Sequence, residues 1–226
     1  MGLFCAGAAA RASSRRRNKN MTIDPFYLVL ESSDWIARML PCGIKLVQLR
    51  IKGAGDGAEL RREILRAKNL CLESGAQLVV NDHWRLAIEL GCAHVHLGQD
   101  DLKSADLRAI RAAGLSLGVS TENEEELERA VKLGADAVAL QPIFPTRSKN
   151  FEREPQGLEK LRRWRQRLGA RPLIAIGGVG LADAQAVYGA GADCIAVISD
   201  VTRAPDPAQR ARDWLAATRG VALQRA

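Results

Sequence analysis

Cations, carboxylates, hydroxyls and paired glycines recur just after short apolar runs in this 226-residue sequence. Gln48, Arg50 and Lys52 alternate in QLRIK, so on one strand their side chains would share a face. Two cations on one face repel unless an anion sits between them. The plain reading is a solvated strand end; the functional one is a phosphate or pyrophosphate clamp, Arg giving a fork and Lys a point charge. Asp82 and Asp101 stand just beyond two successive apolar runs, Gln77–Val80 and Ala93–Leu97. Neighbouring strands lie about 4.8 Å apart, so two carboxylates at their ends can reach one ion. Hard oxygen ligands suit Mg²⁺, which takes one or two carboxylates plus substrate phosphates. The competing reading makes Asp101 a helix N-cap ahead of SADLRAIRAA, a job for which Ser104 also competes. His94 and His96 form an H-x-H pair, but only His83 remains, and tetrahedral sites want three or four ligands. His96 is instead expected to line an interior. Gly177-Gly178 and Ile198-Ser199 follow the last two apolar runs. Bare glycines let backbone N–H groups approach an anion, although a Gly-Gly pair alone reads equally as a turn. Thr146, Ser148 and Lys149 add hydroxyl donors and a cation in PIFPTRSK. Two anion sites, one with a metal, point to two phosphorylated substrates or one doubly phosphorylated one.

These residues need a scaffold that brings strand ends together. The spacing predicts strands at Phe26–Leu30, Lys45–Arg50, Gln77–Val80, Ala93–Leu97, Leu115–Val119, Ala137–Gln141, Pro172–Ile176 and Cys194–Ser199. Amphipathic stretches separate them; in ELRREILRAKNLCLES, Leu60, Ile64, Leu65 and Leu72 fall near helical spacing. A helix after each of eight strands is the pattern of a parallel sheet. Gly43, Gly91, Gly134 and Gly191 each precede an apolar strand, at spacings of 48, 43 and 57 residues, about two βα units each. Such alternation fits the layered interior of a single (β/α)₈ TIM barrel, whose active site lies at the C-terminal ends of the strands. An open doubly wound sheet is the second choice.

Composition bounds the rest. Hydrophobic residues make up 47% and charged residues 26%, ordinary for a globular chain. No apolar run approaches the roughly 18 residues of a membrane span. Aromatics are only 4%, which argues against a base-stacking surface. The net charge is +7, but Arg11, Arg15, Arg16, Arg17 and Lys19 supply +5 of it within residues 1–20, so residues 21–226 carry only +2. Residues 1–20 read as a basic, disordered extension, with a targeting peptide or a start at Met21 as competing readings; 21–226 form the catalytic domain. Gly2 is a poor myristoylation site, since Ala6 stands where Ser or Thr is wanted. The five cysteines are scattered without a CxxC, and Cys71 and Cys194 read as small buried hydrophobes. A reducing compartment, the cytoplasm, is expected.

QLRIK (48–52), VND (80–82), HLGQDDL (96–102), LGVST (117–121), PIFPTRSK (142–149), PQGL (155–158), AIGGV (175–179) and AVIS (196–199) together resemble the thiamine phosphate synthase family, in order, from Phe26 to Leu215. The resemblance implies a transferase that joins hydroxymethylpyrimidine diphosphate to hydroxyethylthiazole phosphate and releases pyrophosphate. The family mechanism is dissociative: pyrophosphate leaves first and the thiazole nitrogen captures the pyrimidinylmethyl cation. It implies that Gln48 holds the pyrimidine, that Arg50, Lys52, Asn81, Ser120 and Lys149 hold the pyrophosphate, and that Asp82 and Asp101 hold its Mg²⁺. Thr146, Ser148, Gly178, Ile198 and Ser199 are implied for the thiazole phosphate. Of these, Arg50, Lys52, Ser120 and Lys149 carry the catalytic roles. No general base is needed. Many members carry His shortly after the strand-five Ser, where this chain has Thr121-Glu122-Asn123.

The partners implied are the two small-molecule substrates, with no nucleic acid or membrane, and a homo-oligomer is left open. Two alternatives stand. A thiazole tautomerase-like isomerase uses a His near the strand-five Ser and has no need of the pyrophosphate and metal set. A non-catalytic phosphate-binding barrel would be expected to lose some of the cations or carboxylates. Nucleic-acid binding would rest only on the basic tail, and its mark would be salt-dependent retention on DNA.

Overall fold

The computed structural model describes residues 23–53, 57–146 and 154–223. Eight parallel strands close into a barrel: β1 (Phe26–Leu30), β2 (Leu46–Leu49), β3 (Gln77–Asn81), β4 (His94–Leu97), β5 (Ser116–Thr121), β6 (Ala137–Leu140), β7 (Leu173–Ile176) and β8 (Cys194–Val197). Closure is made by β8 on β1, with Phe26 opposite Ile195 and Leu28 opposite Val197. The helices are α1 (Ser33–Met39), α2 (Ala58–Glu73), α3 (Trp84–Glu89), α4 (Gln99–Ser104), α5 (Leu107–Ala112), α6 (Glu124–Lys132), α7 (Gly157–Leu168), α8 (Ala184–Gly189), α9 (Ser199–Thr202) and α10 (Pro207–Leu223). The fold is thus the expected single (β/α)₈ barrel.

The strands are largely apolar because both faces are covered, with polar residues such as Gln48, Asn81, His96 and Ser120 kept for the cavity. One face meets the helices, in a core that includes Leu28, Val47, Val80, Val95, Val119, Val138 and Leu140. The other fills the barrel with Tyr27, Val29, Leu46, Val79, Ala137, Ala139, Ile174, Cys194 and Ala196. The helix sequences follow from the same burial. In α2 the buried stripe is Leu60, Ile64, Ala67 and Cys71. Leu65 and Leu72, expected on that stripe, are 43% and 75% exposed. At about 3.6 residues per turn each lies one step round the helix from Ile64 and Cys71. The expectation for α5 is also corrected. Neither Asp101 nor Ser104 caps it; Asp106 does, accepting from the N–H groups of Arg108 and Ala109 at 2.9 and 3.0 Å.

The four repeat glycines all have positive φ and donate back into the preceding turn, as Gly91 N–H does to Ile88 O at 3.0 Å. They end the helices and release the chain into the next strand. Gly75 before β3 and Gly114 before β5 do the same, so the period is finer than the sequence alone suggests. Behind β1, Trp214 of α10 stacks on Phe26, rings 5.5 Å apart and 9° from parallel. Its indole N–H donates to Asp200 Oδ2 of α9 at 2.6 Å, tying the last helix to the end of β8. Residues 1–20 lie outside the described residues.

Candidate active site

A cavity of about 400 Å³ opens at the C-terminal ends of the strands. Gln48, Arg50, Asn81, Ser120, Thr146, Gly178, Ile198 and Ser199 all line it. Its two walls differ. Gln48, Asn81, His96 and Ser120 make β2 to β5 polar, whereas Ala139, Ile174, Ile176 and Ala196 make β6 to β8 apolar. The space exists because Ala139 and Ala196 are small. Lys52, Asp82 and Asp101 line a neighbouring cleft with Ile51, Gly53, His83, Trp84, Arg85 and Ser104. Ser148 and Lys149 lie outside the described residues.

Of Gln48, Arg50 and Lys52, expected on one strand face, Gln48 and Arg50 do line one cavity, and the expectation is corrected for Lys52 alone. β2 ends at Leu49, but Arg50 N–H still bonds to Leu30 O at 2.8 Å, so the period of two is lost only beyond Arg50. Gln48 points into the barrel, Arg50 lines the central cavity, and Lys52 turns away to pair with Asp82.

On the polar wall, Gln48 Nε2 donates to the Tyr27 hydroxyl at 2.8 Å, both groups buried. Burial pushes the Tyr27 phenol well above its ordinary range. His96 Nε2 lies 2.9 Å from Ser120 Oγ. Burial lowers the His96 pKa to about 4, against the opposing pull of the Asp82 charge. The imidazole is therefore neutral at pH 7. Its place depends on Gly118, directly opposite on β5, where an added Cβ would come within 2.6 Å of His96 Nδ1. The Ser120 carbonyl accepts from Gln99 Nε2 at 2.7 Å, and Arg129 holds Gln99 Oε1 at 2.8 Å, which fixes the end of β5. Asn81 is 5% exposed, and its Nδ2 has no protein partner. A buried donor facing a cavity is a position prepared for a ligand acceptor.

Asp82 has φ +63°, the only non-glycine residue with positive φ among the described residues. Its N–H donates to His96 O at 2.9 Å and its carbonyl accepts from Trp84 N–H at 2.8 Å, which hold the strained turn. Asp101, in the first turn of α4, accepts from Gly98 N–H through Oδ2 at 3.1 Å. Burial first, then the charge of Asp82 and a hydrogen bond with it, raise the Asp101 pKa. Lys52 already pairs with Asp82, and the two adjacent carboxylates leave oxygens that a cation could share. The donors are hard oxygens, and no group of three His, Cys, Asp or Glu gathers among the described residues. That set fits a Mg²⁺ ion whose remaining positions come from substrate phosphate and water.

On the far side, Gly177 and Gly178 have φ +95° and +71°. A Cβ at Gly178 would fall 2.5 Å from the carbonyl oxygens of Phe144 and Pro145. The pair is glycine partly because the loop after β6 packs directly over it. Phe144 N–H donates to Gly177 O at 3.0 Å, so this loop extends the sheet and carries Thr146 to the cavity. Tyr27, Gln141 and Arg203 also line the cavity and were not picked out from the sequence. Tyr27 had a signal, being the one polar-tipped side chain in FYLVL; the other two lie outside any recognisable motif.

The family comparison settles what this barrel is. The thiamine monophosphate synthase family matches residues 26–201. The chain belongs to that family. A thiamine-phosphate synthase of Rhizobium etli is 53% identical over 198 residues, covering 88% of this chain and 97% of the relative. One from Neisseria meningitidis serogroup A is 47% identical over 182 residues, covering 80% and 88%. Among solved structures, a thiamine phosphate pyrophosphorylase from Pyrococcus furiosus superposes with a TM-score of 0.77 at 28% identity, over 90% of this chain and 98% of that one. The chain is therefore an enzyme-family barrel rather than a non-catalytic one. No helix among the described residues is long and apolar enough to cross a membrane.

Proposed function

We propose that this enzyme condenses hydroxymethylpyrimidine diphosphate with hydroxyethylthiazole phosphate to give thiamine phosphate and pyrophosphate. The observation that carries the reading is a single barrel mouth with two separate anion-receiving sides. Lys52, Asp82, Asp101, Asn81 and Ser120 stand on one side, and Gly178, Ile198 and Ser199 on the other. Between them the cavity has an apolar wall suited to two heteroaromatic rings.

In this reading the bond between the pyrimidine methylene carbon and the diphosphate oxygen breaks first, its electron pair leaving on oxygen. The thiazole nitrogen then gives its lone pair to the methylene carbon. No proton moves, so no general base is required, and the neutral His96 is not asked to act as one. Gln48, fixed by Tyr27, orients the pyrimidine. Arg50, Lys52, Asn81, Ser120 and Lys149 bind the departing pyrophosphate, which preorganised cations and donors stabilise as its charge develops. Asp82 and Asp101 would hold Mg²⁺, which supplies charge neutralisation to the pyrophosphate. Thr146, Ser148, Gly178, Ile198 and Ser199 receive the thiazole phosphate. An isomerase would have no use for the Lys52, Asp82 and Asp101 cluster. We place the enzyme in the cytoplasm, a reading supported by free, largely buried cysteines. The test is to mix the purified protein with both substrates and Mg²⁺. Thiamine phosphate and pyrophosphate are expected in equal amounts; neither appearing overturns the assignment.

A further inference from the structure

Arg203 follows α9 directly, and its N–H donates to Ser199 O at 3.1 Å, one turn behind the Ile198–Ser199 loop. Its side chain lines the central cavity beside Gly178 and Ser199. It also lines a smaller cleft next to that cavity, which it shares with Arg50, Trp35 and Glu31. Two guanidiniums therefore converge on the loop where β8 ends. Neither side chain has a hydrogen bond or ion pair among the described residues, in contrast to Lys52, which pairs with Asp82. Arginine stays charged throughout the accessible pH range, so the two cannot relieve their repulsion by losing a proton. The nearby carboxylates form no ion pair with them: Asp200 lines the same cavity but its Oδ2 accepts from the Trp214 indole at 2.6 Å, and Glu31, exposed on the cleft wall, pairs with neither.

We propose that Arg203 binds the phosphate group of the second substrate from the side, and so selects the phosphorylated thiazole over its free alcohol. The proposal rests on the synthase reading for the identity of that substrate, and on the cavity alone for its anion. The loop at Gly178, Ile198 and Ser199 offers only neutral donors to a phosphate. A guanidinium adds charge and a planar fork that matches two phosphate oxygens at once. Arg50 stands across the same cleft and can face either phosphate-bearing substrate. Because Arg203 is exposed, replacing it should leave the core intact.

The experiment compares wild type with Arg203→Ala and Arg203→Lys. In steady-state kinetics, Arg203→Ala should raise KM for hydroxyethylthiazole phosphate about tenfold or more, the scale for one charge-assisted contact. KM for the pyrimidine diphosphate should stay within about twofold, and turnover of the unphosphorylated thiazole alcohol should be unchanged. Arg203→Lys should recover part of the affinity, keeping charge but losing the fork. Calorimetric titration with inorganic phosphate, without either substrate, should show weaker binding in Arg203→Ala. That arm still reads Arg203 if the protein makes no thiamine phosphate, so the two failures are distinguishable. An unchanged KM for the thiazole phosphate with unchanged phosphate binding would overturn the proposal. So would a rise confined to the pyrimidine diphosphate, which would assign Arg203 to the leaving group.

Discussion

The Tyr27 hydroxyl accepts a 2.8 Å hydrogen bond from Gln48 Nε2 inside the barrel, so the side-chain amide of Gln48 is locked before any substrate arrives. That bond fixes the amide group against Tyr27 at the cavity wall. Tyr27→Phe would strand a buried donor, which costs about 1–3 kcal/mol. We expect a lower melting temperature and a KM for the pyrimidine diphosphate raised about tenfold, with KM for the thiazole phosphate unmoved. A melting shift without a KM change would make the pair merely structural.

Asp82 combines a left-handed backbone with a carboxylate crowded against Asp101. Asn tolerates that backbone and removes one of the two like charges, whereas Ala pays a left-handed strain of about 1–2 kcal/mol. Asp82→Asn should therefore melt at or above the wild-type temperature, and Asp82→Ala below it. Both should lose the tightening of pyrimidine diphosphate binding by Mg²⁺, and by linkage the tightening of Mg²⁺ by the diphosphate. Calorimetric titrations with and without metal check this; full coupling retained in Asp82→Asn would remove Asp82 from the metal site.

Gly178→Ala should harm both packing and binding. The new Cβ would meet two backbone carbonyls at 2.5 Å on a residue with φ +71°. Overpacking of this kind costs about 1–3 kcal/mol. Thermal melts should show the loss, and KM for the thiazole phosphate should rise while that for the pyrimidine diphosphate does not. Near-wild-type values of both would mean that the loop after β6 moves aside freely.

The His94 ring is half-buried, its buried Nδ1 has no protein partner, and desolvation lowers its pKa, with Asp136 partly opposing. The unfolded state binds a proton near pH 6.5 that the folded state resists. Stability is thus full above that pH and falls as the pH drops below it, because unfolding then takes up protons. His96 adds to the slope with the same sign. Denaturant titrations from pH 7 to pH 5 should show the decline, and His94→Asn should flatten it. An equal slope in the variant would place its origin elsewhere.

The strands after β1 were legible because a glycine ends the helix before each apolar run, as Gly91 and Gly134 do. The clustering of Gln48, Asn81, Ser120, Gly178 and Ser199 was legible because a barrel brings strand ends to one rim. What failed was detail below the length of an element. In QLRIK, Arg50 N–H still bonds to Leu30 O at 2.8 Å on the neighbouring strand, so the period holds to Arg50 and is lost before Lys52. Arg50 and Lys52 then diverge into separate clefts. Leu65 and Leu72 misled because a leucine on a helix says nothing of which face it occupies until its neighbours are known. Arg203 was invisible for a related reason: one exposed arginine after a short helix resembles any other until the fold sets it beside Ser199.

The bond from Trp214 to Asp200, with the stack of Trp214 on Phe26, has a consequence for how the enzyme comes into being. The first strand cannot finish its outer packing, and the loop after the last strand cannot be anchored, until residue 214 has been synthesised. A nascent chain thus carries most of its barrel for some time without a working mouth. A chain that stops short of residue 214 lacks both contacts, and with them the anchor that α10 gives to the loop after β8.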